Sequence, residues 1–530
     1  MSRIIGSKGS DTYQITDSRL VLTNLLVRGS DHTIIVEEQF KKVIRDGYLD
    51  DAVLITFMTR NIRGGKGERD LFYIMYSTLY KLIPQLSVSL LELIPHYGSW
   101  RDIFELIDYE PNLKSDILSL VKKQIKDDET KMSERKQISL LAKWIPRERN
   151  KHGKYFAYNL SSKNLLQEKL AESRKRISTL NKYLKTTEIS MCNNSWDKIV
   201  PSAVPGRCLK NNRQAFLNLT LHSSNLRKPD DDIRNKCREN FQKYFATSKK
   251  SFDTLYPHEI LYEIQKVLSS SDQDERNMLT GVWDGFVRKV KQQGGLGRSI
   301  AMCDFSGSMD GLPLEVSRAL GLLISEVTTD SFKNSLITFD STPLLVKIPE
   351  YANIFQKVQW LNEHSQYGHG ISTDFQKAMD LVLENLVKNR VPVGEEPENI
   401  IVLTDMAFDK ACGSSEISSN SYTYNVKTSN WQTHIEMIRE NFKKIGETMW
   451  GIGKGYKVPR IVIWNLSSYL SNDFHAKEDS EGVIMLSGWS PSMFKVIVEK
   501  GIVINTPLSA LRYILDDPMY DLVREGLKKK

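Results

Sequence analysis

Residues 298–311 read RSIAMCDFSGSMDG, and the fold of the C-terminal half turns on how they are read. The run before Asp304 is short and apolar, which fits a buried strand. Asp304, Ser306 and Ser308 then alternate through a turn of the residue types that commonly close a strand and feed a helix. The next segment, LPLEVSRALGLLISEVT, puts Val316, Leu320, Leu323 and Val327 on one helical face. A buried strand, a polar turn and an amphipathic helix make the opening unit of an α/β sheet.

The same alternation continues to about residue 500. NSLITFD and TPLLVKI are close enough to form a hairpin, ENIIVLTD is a continuous apolar run, and PRIVIWNL and GVIMLSG are two further strands. Helical segments such as TDFQKAMDLVLENLVKN and WQTHIEMIRENFKKIGETM separate them. The pattern predicts a Rossmann-like, mostly parallel sheet covered on both sides.

Upstream the texture changes. From 34 to 296 apolar residues recur at three- and four-residue intervals, as in LFYIMYSTLYKLIPQL and SWRDIFELIDY. This predicts a HEAT-like, solenoid-type domain of stacked antiparallel helices. The expected organisation is an N-terminal extension over 1–33, a helical domain over 34–296, the sheet domain over 297–500, and a helical tail over 501–530 that packs on the body. The glycines of RNIRGGKGERD are expected to turn between two helices, with Lys66, Glu68 and Arg69 in the first turn of the second. That stretch lacks the GxxxxGK[ST] spacing of a phosphate loop.

A chain of 530 residues exceeds what one hydrophobic core organises. The formal charge of +8, from 73 basic and 65 acidic residues, matters only where it is clustered. No segment approaches the roughly 18 apolar residues of a membrane span, and the N-terminus lacks a signal-peptide run. A soluble intracellular protein is expected, cytoplasmic rather than nuclear, with no membrane partner. Five cysteines without CxxC spacing argue against a disulfide framework and a zinc site.

Ligands of open α/β sheets bind beyond the carboxyl ends of the strands. Three polar elements fall there: Asp304, Ser306 and Ser308 after the first strand, Thr373 ahead of the helix DFQKAMD, and Asp405 at the end of ENIIVLTD. All five side chains offer oxygen, which suits Mg2+ or Mn2+ better than zinc. Each also has a plainer role; Thr373 with Gln376, for instance, fits a helix capping box.

Taken together, DFSGSM, GISTDF and LTDMAF resemble the metal-ion-dependent adhesion site (MIDAS) of a von Willebrand factor type A domain, over roughly 297–500. The resemblance implies that Asp304, Ser306, Ser308, Thr373 and Asp405 hold the metal, the aspartates commonly through water. It also implies a protein ligand that offers an acidic group to the metal.

TRNIRGGKGERDLFY (59–73), HYGSWRD (96–102), LAKWIPRE (141–148), RKRISTLNKYLKTTEISMCNNSWDKIVPSAVP (174–205) and LSGWSPSMFK (486–495) resemble the domain-of-unknown-function 2828 family. Its members join a helical N-terminal region to a von Willebrand A domain. The same order of parts is similar, more distantly, to the TROVE module of the Ro ribonucleoprotein, which implies RNA binding without assigning residues. Basic residues do cluster, at Lys143, Arg147 and Arg149 and at Arg174, Lys175, Arg176 and Lys182, with Trp144 and Tyr155 nearby. Such charge attracts phosphates and such rings stack on bases, although a solvated helix face gives the same pattern.

The expected function is a non-enzymatic binding scaffold that recognises a partner through a Mg2+-bearing site, with structured or single-stranded RNA as a specific ligand. The alternatives are a pure protein-interaction module and a metal-dependent phosphoryl-transfer or nuclease enzyme. The last is disfavoured because the motifs hold no adjacent histidine or lysine to act as a base.

Overall fold

The computed structural model describes residues 3–5, 11–13, 15–29, 33–221, 224–247, 255–270, 272–329, 332–339, 343–364, 375–406, 415–419, 422–426, 431–467, 479–498 and 504–528. Its packing separates two compact units. One takes in Met1–His32, Lys249–Ser270 and Leu279–Asp516; the other takes in Thr33–Ser248, Ser271–Met278 and Asp517–Lys530.

The first unit is built on a six-stranded sheet. In chain order its strands are β1 (Ser299–Asp304), β2 (Ser335–Phe339), β3 (Leu344–Lys347), β4 (Asn399–Thr404), β5 (Arg460–Asn465) and β6 (Val483–Ser487). Across the sheet the order is β6-β5-β4-β1-β2-β3, parallel throughout except for the edge strand β3, which pairs antiparallel with β2. The chain therefore leaves β1 towards β2 on one side and returns to β4 on the other.

Period-two alternation decides which residue meets which layer. Ile300 and Met302 of β1, Ile400 and Val402 of β4, and Ile461 and Ile463 of β5 share one core with Met379, Val382 and Leu386 of the helix Phe375–Lys388 and with Ile438 and Phe442 of the helix Trp431–Trp450. The alternate β1 residue Cys303 lies against the helix Leu312–Val327, where a Cβ on Gly321 would collide with the Cys303 sulfur. Glycine is what lets that helix lie so close. With both faces covered, β1 and β4 are buried along their whole lengths, which is why they read as unbroken apolar runs.

This unit also claims the start of the chain. Asp17 caps the helix Ser18–Leu25 by accepting from the Arg19 amide at 2.9 Å. The helix packs on β6, where Ser487 Oγ donates to the Thr23 carbonyl at 2.7 Å, and Asn465 Nδ2 donates to the Asn24 carbonyl at 3.2 Å. Arg28 then lies over the rings of Tyr256 and Trp489, at 5.0 and 5.1 Å from their centroids.

The second unit is helical. Its helices Leu49–Arg60 and Asp70–Leu82 bury a ring cluster of Phe57, Phe72, Tyr76 and Tyr97. Two sequence motifs meet beside it. Arg60 pairs with Asp102 at 2.8 Å, and Asp102 also accepts from the Tyr73 hydroxyl at 2.7 Å and the Ser99 amide at 2.6 Å. Gly98 is needed there, since a Cβ would collide with the Asp102 carboxylate.

Lys66 and Glu68 depart from expectation. The second helix begins only at Asp70, and both residues lie in the preceding loop, 1% and 3% exposed. The Lys66 and Glu68 amides donate to the Met58 and Thr59 carbonyls, which draws the loop back over the first helix and its side chains inward.

Texture divides the chain near residues 33, 296 and 500, whereas packing divides it otherwise. The start of the chain joins the sheet, and the final stretch is split. The helix Pro507–Leu515 packs on β6, while the helix Asp521–Lys528 packs on Leu49–Arg60 in the helical unit. There Tyr520 stacks on Tyr97 at 5.7 Å, and the Tyr97 hydroxyl donates to the Met519 carbonyl at 2.7 Å. No helix among the described residues is long and apolar enough to cross a membrane.

Candidate functional site

The strand order reverses between β1 and β4, and in open α/β sheets the crevice beyond such a switch point is where ligands bind. The first turn there follows from local chemistry. Asp304 is fully buried at the end of β1, and its Oδ1 accepts from the Ser306 amide at 2.9 Å, closing an Asx turn. A single 3-10 turn, Gly307–Met309, follows, pinned by the buried Met309 side chain. Ser306 is buried and Ser308 exposed, so the corner opens to solvent at Ser308. Their hydroxyl oxygens lie 3.0 Å apart.

The second turn comes from β4. Leu403 pairs with Cys303, which puts the next residue, Thr404, beside Asp304. The Thr404 hydroxyl donates to Asp304 Oδ2 at 2.8 Å. Asp405 follows, only 1% exposed. Burial pushes the Asp304 carboxyl up to about 7, and the charge of Asp405 pushes the same way, against hydrogen bonds from Ser306 and Thr404 that favour the ionised form.

The structure thus brings Asp304, Ser306, Ser308 and Asp405 to one corner of the sheet. Thr373 lies outside the described residues, as does Cys412. Thr404 is the residue that sequence reasoning missed. Its hydroxyl stands directly before the strand-end acid in VLTD, a position that an ordinary strand threonine also fills.

The donor set is chemically apt for a hard divalent cation. It holds two buried carboxylates within electrostatic reach of one another and two adjacent hydroxyls. In an octahedral Mg2+ shell with bonds of about 2.1 Å, neighbouring oxygens sit about 3 Å apart, which is the spacing of the two serine oxygens.

The basic residues of the helical unit form a different surface. Lys143 pairs with Glu188 at 2.7 Å, Arg174 with Glu148 at 3.2 Å, and Arg176 with Glu129 through two bonds of 2.7 and 2.8 Å. Arg147, Arg149, Lys175 and Lys182 are exposed. Two cations not singled out in the sequence lie over the nearby rings. Lys114 Nζ is 4.2 Å from the Tyr155 centroid, and the Arg101 guanidinium is 5.9 Å from that of Trp144.

Residues 298–511 match a family described as a domain of unknown function, DUF7788. The match opens one residue before β1 and closes within the helix that packs on β6, so it covers the whole sheet. The chain is also 27% identical, over 492 residues, to an uncharacterized protein of Acanthamoeba polyphaga mimivirus, an alignment that covers 88% of this chain and 79% of that protein. It is long enough to include residues of both units.

Proposed function

We propose that the sheet unit is a von Willebrand A domain and that the chain is a non-enzymatic scaffold which recognises a partner through Mg2+ or Mn2+ at this corner. The observation that carries the reading is the convergence of Asp304 from β1 and Asp405 from β4 at the switch point of the sheet. Asp304, Ser306, Ser308 and Asp405 would hold the cation, and Thr373 completes the set in the resemblance to the adhesion-type site. When bound, the cation supplies a coordination position for an acidic group of a partner protein. The opening at Ser308 leaves that approach accessible. Over the described residues 304–310 and 404–406 neither turn holds a histidine or a lysine, which favours recognition over catalysis. Calorimetric titration of the purified chain with Mg2+ and Mn2+ tests the reading. Wild type is expected to bind and Asp304→Ala to lose binding; a wild type that binds neither metal overturns it.

A second ligand, structured or single-stranded RNA on the helical unit, is favoured by the cation-flanked rings of Trp144 and Tyr155. The resemblance to the 2828 family and the TROVE order of parts supports a solenoid-like helical platform for it. Electrophoretic binding across a salt series tests this reading, and binding that ignores salt counts against it. A protein-only module predicts partner capture that chelator abolishes and ribonuclease leaves intact. In either form the scaffold works in the cytoplasm.

A further inference from the structure

The two turns that frame the site come from strands far apart in sequence, and one side chain joins them. Thr404 is fully buried at the end of β4. Its backbone is fixed from the β5 side, by the ladder and by the Leu466 amide just after that strand, which donates to the Thr404 carbonyl at 2.9 Å. Its hydroxyl oxygen accepts from the Met406 amide at 3.2 Å and donates its one proton to Asp304 Oδ2 at 2.8 Å.

With Asp304 ionised, the donors run in one direction, from the backbone after β4, through Thr404, to the carboxylate after β1. The Ser306 amide meets Oδ1 and the Ser306 side chain also hydrogen-bonds the carboxylate, so Asp304 is held both from its own turn and from the turn after β4. Met406 makes the relay possible at a local cost. It adopts a left-handed φ of 72°, uncommon for a residue with a side chain, and its buried side chain in the core beneath the sheet holds it there.

We infer that Thr404 is the positioning residue that sets the Asp304 carboxylate for the cation and couples it to the Asp405 turn. This inference rests on the metal-site reading above. An ion-binding carboxylate left to rotate must be ordered at the moment of binding, and loss of such an outer hydrogen bond weakens affinity about 10–100-fold.

The test is Mn2+ and Mg2+ titration of the full chain by calorimetry, with thermal melting in chelator as a second readout. Thr404→Val keeps the shape and removes the hydroxyl; it is expected to bind Mn2+ about 10–100-fold more weakly than wild type. Thr404→Ser restores the hydroxyl and is expected to restore the affinity, whatever it does to the melting temperature in chelator. If the valine variant does not fold, Thr404→Ala, which lacks the same hydroxyl, carries the comparison. Wild-type affinity in the variant without a hydroxyl, or a serine variant as weak as it, overturns the inference and leaves the site reading intact. A wild type that binds neither metal overturns the site reading itself, and the inference with it.

Discussion

Two fully buried aspartates, one in each unit, carry opposite lessons. Asp102 meets Arg60, the Tyr73 hydroxyl and the Ser99 amide, so its charge is answered within the protein. Asp304 accepts hydrogen bonds from Ser306 and Thr404 but lies beside a second buried acid, Asp405. A buried charge with an opposite partner is a structural element. A buried charge set against a like charge is a standing cost, and such arrangements concentrate where a ligand relieves them.

The sharpest way to break the comparison is to remove each acid in turn. Asp102→Ala leaves the Arg60 guanidinium buried without its anion and is expected to destabilise the helical unit by about 3–5 kcal/mol in denaturant unfolding. The loss should be the same in Mg2+ and in chelator. Asp405→Asn should behave inversely, leaving stability in chelator unchanged or raised because the like-charge cost is gone. What it should lose is the stabilisation by metal, about 2.7 kcal/mol for wild type at a hundred times its dissociation constant. An Asp405→Asn protein that is weakened equally with and without metal would make Asp405 as structural as Asp102.

A pH-dependent effect comes from Lys66, whose burial beside Glu68 depresses its ammonium to about 7, with Glu68 opposing the shift. In the unfolded chain the same group titrates near 10.5. Between these values the unfolded state binds more protons, so stability should rise with pH, by up to about 1.4 kcal/mol per pH unit. Above 10.5 the contribution is complete, and below 7 the full penalty applies. Lys66→Met should flatten the slope of stability between pH 7 and 9.5, and a slope equal to wild type would sink the assignment.

These residues also mark what was legible in the sequence. The central strands β1 and β4 could be read because both their faces are covered, leaving apolar runs with few alternatives, whereas the edge strand β3 was legible only as the second half of a hairpin. Asp304, Ser306, Ser308 and Asp405 could be read because a strand-end position is local information. Thr404 could not, since threonine is an ordinary strand residue and only pairing with β1 turns its hydroxyl into a donor for Asp304. Lys66 looked like a solvated first-turn lysine, and only the two backbone bonds to Met58 and Thr59 put it inside. Which elements the two ends of the chain pack on was hidden for a similar reason. Whether Thr23 meets Ser487, or Tyr97 meets Tyr520, is decided by contacts more than 400 residues apart, for which a helical pattern carries no address.

The smallest expected effect concerns charges that are neither buried nor paired with a like charge. Arg176 is a poor probe of RNA binding, because it also holds Glu129 and the Leu160 carbonyl, and its removal would loosen the helix it sits on. Lys175 and Lys182 are exposed on the same helix, Leu166–Leu184, and replacing both by alanine should change stability by no more than about 0.5 kcal/mol. If nucleic acid runs along that helix, the double variant should bind more weakly and lower the slope of log affinity against log salt by about 1 per lysine. An unchanged slope would return the basic helix to an ordinary solvated face. The reading proposed for the sheet corner is independent of that result, because it rests on Asp304 and Asp405 and not on the helical unit.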